Sequence, residues 1–175
     1  MKSSSLNTNA IAFIALCNEY CHAVENARES ERDDFIDSML RLLPRLYMSA
    51  SGLDAGADDD EDAYIESSLD EDYYDSVRRS IENIMGPDDV YLEVFEEDMK
   101  YSDTPISASV SECLSDIFQP LYNLVETVKD APSHIVGPAL VAARDDFRGY
   151  WGQILCNVLR PLHHIRYSAT GADDI

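Results

Sequence analysis

Two stretches of this 175-residue chain set polar side chains where chemistry could be done. The first is Ser111-Glu112-Cys113-Leu114-Ser115-Asp116-Ile117-Phe118-Gln119. The second runs from Tyr150 through Trp151, Asn157 and Arg160 to His163-His164. At helical spacing Glu112, Asp116 and Gln119 fall along one side of a helix, beside its apolar stripe. Gln153, Asn157, Arg160 and His164 fall along one side of another, with His163 next to the Arg160 row. If the two helices pack, carboxylates face a guanidinium and an imidazole. One reading is structural: Asp116 or Glu112 pairs with Arg160 and His163 and fixes helix register at the edge of the core, because a desolvated charge needs a partner. The other is functional: the same groups line a pocket and do acid–base work or hold a metal. The structural reading is preferred. Di-metal helical bundles use a Glu followed three residues later by His, and neither stretch contains one. It carries a specific expectation, a charge-assisted contact of Arg160 with Asp116 or Glu112 in a planar geometry that lysine cannot reproduce. The candidate network or binding set is Glu112, Asp116, Gln119, Trp151, Asn157, Arg160 and His163, with no catalytic residue assigned.

Other chemistries have weaker footing. The chain has no Gly-x-Ser-x-Gly elbow, no phosphate-cradling glycine loop and no His-Glu-x-x-His. Asp145-Asp146 stands beside Arg144 and Arg148 and reads as a solvated face with local ion pairs. Trp151 and the ten tyrosines read as core and rim rather than a ligand cage. Cys17, Cys21, Cys113 and Cys156 each fall within an apolar helical pattern, which suits buried free thiols. Cys17, Cys21 and His22 lack the second ligand pair that a zinc site needs. The run Asp58-Asp59-Asp60-Glu61-Asp62 is rich in oxygen ligands, but it lacks the alternation and the central Gly of an EF-hand loop. No cofactor and no metal are expected.

These groups must be held by helices. Ile11, Ile14, Cys17, Cys21 and Val24 form one face of a first helix capped near Asn7 to Asn9. Phe35, Met39, Leu42, Leu43, Leu46 and Tyr47 mark a second from about Asp33, with Pro44 predicting a kink or an early end. A mobile acidic loop is expected over about 49–66, where the block of like charge repels itself. Tyr73, Tyr74, Val77, Ile81 and Ile84 mark a third helix that Gly86-Pro87 stops. Val90, Leu92 and Val94 alternate like a strand but have no evident partner, so a short helix or extended crossing is favoured there. Thr104-Pro105 opens the fourth helix, with Pro120 kinking it. The fifth begins near Gly137-Pro138 and runs to about Tyr167, followed by a frayed tail over 168–175. The fold expected is all-α: a single domain over 1–175, an irregular up-and-down bundle of about five main helices with one or two short extra ones.

Charge bounds the partners. Against 34 Asp and Glu stand 13 Lys and Arg, a formal net charge of −21. That field repels phosphate backbones and anionic headgroups, so direct nucleic-acid binding and a membrane surface are disfavoured. A basic protein is the expected partner. Lys2 and the apolar run Ala10 to Cys17 superficially resemble an export signal. The run is short, however, and continues as an amphipathic helix through Glu19 and Val24, so a cytoplasmic location is expected. No run approaches the eighteen or so apolar residues of a membrane helix.

The motifs Ser111-Glu112-x-Leu114-x-Asp116-Ile117-Phe118-Gln119 and Trp151-Gly152-x-x-Leu155-x-Asn157-x-Leu159-Arg160-x-Leu162-His163 resemble an uncharacterised family of small acidic helical proteins. It is found mainly in Bacteroidetes and labelled a domain of unknown function. The resemblance implies an all-helical fold and a cytoplasmic bacterial protein. It supplies no activity, substrate or catalytic residue. The function expected from the residues is a non-catalytic interaction or regulatory role. A small-ligand or enzymatic pocket between the fourth and fifth helices is the alternative.

Overall fold

A computed structural model describes residues 6–54, 63–93, 97–101 and 104–168. Six α-helices and one two-stranded ladder account for most of them: α1 (Thr8–Glu25), α2 (Arg32–Ser51), α3 (Glu71–Met85), β1 (Val90–Leu92), β2 (Ser107–Ser109), α4 (Val110–Val128), α5 (Ser133–Asp146) and α6 (Gly152–Ser168). The expected helical bundle is present, and the ladder is an addition to it.

Local chemistry explains most of the boundaries. The Asn7 side chain accepts from the Ala10 N–H at 2.8 Å and opens α1. Asp70 does the same for α3, accepting from Tyr73 N–H at 2.7 Å. That helix ends at Gly86, whose φ of 56° suits a residue without Cβ. The early end expected at Pro44 does not occur, and α2 runs on to Ser51. Pro inside a helix costs about 3 kcal/mol. Burial of Leu42, Leu43, Leu46 and Ala50 outweighs that, at about 1.5–3 kcal/mol for each leucine.

The strand-like alternation at Val90 finds a partner after all. β1 pairs antiparallel with β2, in register Val90↔Ser109 and Leu92↔Ser107. Ser107-Ala108-Ser109 has no apolar alternation, which is why the pairing is invisible in sequence. The ladder also displaces the start of α4. Thr104-Pro105 lies outside the helix, and Ser109 caps it instead, accepting from Glu112 N–H at 3.2 Å. The described end of the expected mobile loop is tied down. Glu66 N–H donates to Thr127 Oγ1 at 3.0 Å, and Ser68 and Leu69 N–H both donate to Asn123 Oδ1. The Asp58–Asp62 block and the expected frayed tail beyond Ser168 lie outside the described residues.

The expected fifth helix starts at Ser133, earlier than Gly137-Pro138, and is divided by a π-turn over Phe147–Trp151. There the Gly152 N–H donates to the Phe147 carbonyl, one residue wider than an α-helical bond. A Cβ at Gly152 would lie 2.6 Å from that oxygen, so only glycine fits.

α4 is the centre of the bundle and packs against α1, α3, α5 and α6, while α2 bridges α1 and α6. Phe13, Tyr20, Phe35, Phe118 and Trp151 are fully buried among them. Tyr20 satisfies its hydroxyl by donating to the Leu114 carbonyl at 2.7 Å, joining α1 to α4. All four cysteines are free; Cys17 and Cys21 are buried, but Cys156 is exposed, against expectation.

Candidate functional site

The acid row of α4 turns toward α3. Asp116 is half-buried and accepts a hydrogen bond from the Tyr74 hydroxyl at 2.6 Å. It lines a cleft of about 590 Å³, together with Gln119 and with Asp70, Glu71, Asp72 and Asp75 from the start of α3. Burial raises the Asp116 carboxyl above its ordinary range, and the Tyr74 hydrogen bond partly offsets this. Tyr74 is itself held protonated, first by burial and then by its hydrogen bond to Asp116. Tyr150, on the π-turn, is close enough that the Asp116 charge adds to the burial that raises it.

Within the cleft the charges are unequal. Asp75 is neutralised by Arg78 at 3.1 Å and Arg79 at 2.7 Å, and Arg78 also reaches Glu82. Among the described residues no cation pairs with Glu71, Asp72 or Asp116. Such a cleft can receive a guanidinium or ammonium group. It lacks a paired base and nucleophile for covalent chemistry. Among the described residues no three His, Cys, Asp or Glu side chains are grouped to hold a metal.

The other residues expected at a site are dispersed. Glu112 is exposed. Trp151 is 1% exposed and belongs to the core, stacked on Phe13 at 6.5 Å and edge-on to Phe147 at 4.8 Å. Asn157 accepts from Gln153 Nε2 at 2.9 Å along α6. His163 is exposed, its ring against Tyr167 at 4.8 Å. The expected contact of Arg160 with Asp116 or Glu112 is not formed. Arg160 is exposed and donates to the Leu92 carbonyl at 2.5 Å, on β1. The physical reason is that α4 is buried on more than one side. Ser111 and Ser115 are also buried, so the helix has inward faces for several neighbours, and its acid row meets α3 rather than α6.

Three features escaped the sequence reading. Asp89 is 5% exposed and accepts from Ser111 N–H at 2.8 Å, Ser111 Oγ at 2.7 Å and Ser109 Oγ at 2.9 Å. It clamps the start of α4, where a buried anion is favoured. Tyr91, Glu93 and Cys113 form a second polar cluster, with the Tyr91 hydroxyl 3.2 Å from both Glu93 Oε2 and Cys113 Sγ. Burial pushes the Cys113 thiol up to about 11, so it is poorly nucleophilic. Neither cluster leaves a signal, because its members come from separate elements. The third was legible: Glu19-Tyr20-Cys21-His22 has the Glu-x-x-His spacing. Glu19 and His22 are exposed, however, and Glu19 pairs with Arg45 at 3.5 Å, so the motif does not face a bundle interior.

Residues 4–168 match the model of a domain of unknown function, DUF5063. The chain belongs to this family. The resemblance carried by the two helical motifs thus extends over nearly the whole chain. A structural relative is protein BF1032 from Bacteroides fragilis, a structural genomics target solved by crystallography. The two share 27% sequence identity with a TM-score of 0.77, over 93% of this chain and 94% of that one. No curated protein matches the chain. Among the described residues of this DUF5063 chain, no helix is long and apolar enough to cross a membrane.

Proposed function

We propose that this protein is a non-catalytic interaction or regulatory module of the cytoplasm that binds a basic protein partner. The observation that carries the reading is the cleft between α3 and α4, where Glu71, Asp72 and Asp116 face a common space and, among the described residues, pair with no cation. The net charge of −21 supports it by steering a basic partner toward the surface. The competing reading needed Asp116, Arg160 and His163 to converge on a pocket between the fourth and fifth helices of the sequence. They sit apart.

The test is affinity purification from the native organism at low and at high salt, read by mass spectrometry, with wild type and a Glu71→Gln/Asp72→Asn variant as baits. A basic protein should be retained at low salt by the wild type, and less by the variant. It should be released as salt rises, because surface charge pairs are screened. Recovery of no specific protein at either salt removes the reading.

A further inference from the structure

Helix α1 is apolar on two opposite faces. Phe13, Leu16, Cys17 and Tyr20 are buried in the core. On the outside Ile11 is 55% exposed, and Ala12 and Ala15 are exposed beside it. From Thr8 to Asn18 the helix carries no Asp, Glu, Lys or Arg, in a chain where 27% of residues are charged. Thr8, Asn9 and Asn18 are the polar residues of that stretch, so much of its outer face is apolar as well. Its open face borders a groove of about 650 Å³. Ile11, Ile14 and Ala15 form one wall, and Tyr122, Val125 and Val128 of α4 form the other. Both walls repeat at three- and four-residue spacing, so the groove runs between two helical ridges, a shape that takes the apolar edge of a third helix.

The charges around this groove indicate what kind of helix fits. Glu25 and Glu126 line it, and Lys129 and His22 are the basic groups there. Glu126, Glu25 and Asp70 all act on the Tyr122 hydroxyl, so the carboxylates gather at one part of the groove. Asp70 itself lines the α3–α4 cleft, not this groove. A second copy of this chain would bring its own −21 and at best the neutral stripe of its α1. A cationic helix supplies both the apolar edge and further positive charge for Glu126 and Glu25, which have Lys129 in the same groove and, at Glu25, the Tyr73 hydroxyl as a donor.

We infer that the groove between α1 and α4 seats an amphipathic, cationic helix of the partner protein, with its apolar edge on Ile11 and Val125 and its Lys or Arg side chains toward Glu126 and Glu25. This rests on the reading that the partner is basic, and adds the partner's local structure and its seat.

The test uses the full chain and two fluorescent synthetic peptides of about 18 residues, five helical turns. One has Leu and Lys at helical spacing. The other has the same composition, scrambled so that no apolar face forms. Binding is read by fluorescence anisotropy. The patterned peptide should bind at least about tenfold more tightly than the scrambled one. Ile11→Ser should weaken it roughly tenfold, the scale of one lost apolar side chain. Glu126→Lys should weaken it as well, while Glu29→Lys, an equal charge change at an exposed position outside the groove, should change it less than about twofold. Ile11 and Glu126 are both exposed, so these variants keep the fold, which circular dichroism checks. Equal binding of the two peptides overturns the groove and leaves the basic-partner reading standing. Absence of binding by either peptide overturns the groove, and the basic-partner reading is then decided by the purification at low and high salt. An unchanged affinity in Ile11→Ser, or a dimer of the free protein that Ile11→Ser dissociates, also overturns the groove.

Discussion

Asp89 accepts three hydrogen bonds in a buried position, and without it the Ser111 N–H would be stranded inside the protein, while the Ser111 hydroxyl would keep only Ser109 Oγ, at 2.7 Å. Asp89→Ala is therefore expected to cost on the order of 3 kcal/mol by urea unfolding. Asp89→Asn should cost less, because the serine hydroxyls can turn to accept from the amide. Asp116 makes the opposite prediction. Burial raises its carboxyl, so the native state holds that proton more tightly than the unfolded chain does. Its contribution to stability falls as pH rises from the unfolded value, about 3.9, through the native one, and the ionised form carries a fixed penalty above that. Asp116→Asn keeps an oxygen to accept from Tyr74. It should raise the unfolding midpoint at pH 7 and leave it nearly unchanged below about pH 3; a lowered midpoint at pH 7 would show that the ionised carboxylate is favourable. At this scale the sequence revealed that Asp116 sits beside a buried stripe. It did not reveal which neighbour the residue meets. Helical spacing gives direction around one axis, whereas the choice of Tyr74 over Arg160 depends on how α4 is surrounded.

The elements follow from spacing and caps, and where they were misplaced the cause is local. The stripes of α2, α3 and α4 are legible because apolar residues recur every three or four positions. The ladder is not, since Ser107-Ala108-Ser109 carries no pattern and pairs only because α4 starts beside it. The π-turn is also hidden, yet it depends on one atom. At Gly152 a Cβ would meet the Phe147 carbonyl at 2.6 Å and its ring at 2.9 Å, so Gly152→Ala should cost about 1–3 kcal/mol. Gly149, in the same turn, has nothing within 4 Å of such a Cβ. Gly149→Ala should be neutral or stabilising by up to about 1 kcal/mol, through loss of freedom in the unfolded chain. Thermal unfolding of the pair separates crowding from flexibility. Equal losses in both would mean that the turn requires glycine for its backbone freedom rather than for space.

Across the whole molecule, the acidic excess is plain in the sequence but its distribution is not. The −21 charge opposes compaction, and mobile ions screen it. Raising NaCl from about 20 mM to about 500 mM should therefore raise the thermal midpoint by several degrees, and a midpoint that falls would mean that ion pairs such as Arg78–Glu82 dominate. The last helix returns to the second: Arg166 Nε lies 2.7 Å from Asp37 Oδ1, across 129 positions of sequence, and α6 lies along α2. This closure sets a schedule for synthesis. A ribosome adds roughly 5–20 residues per second, so on the order of ten seconds separates the emergence of α2 from that of α6. During that interval Phe35, Met39, Leu42 and Leu46 have α1 to lie against but not their later neighbours. A nascent chain stalled before residue 152 would leave that seam open to chaperones, or to other stalled copies of itself.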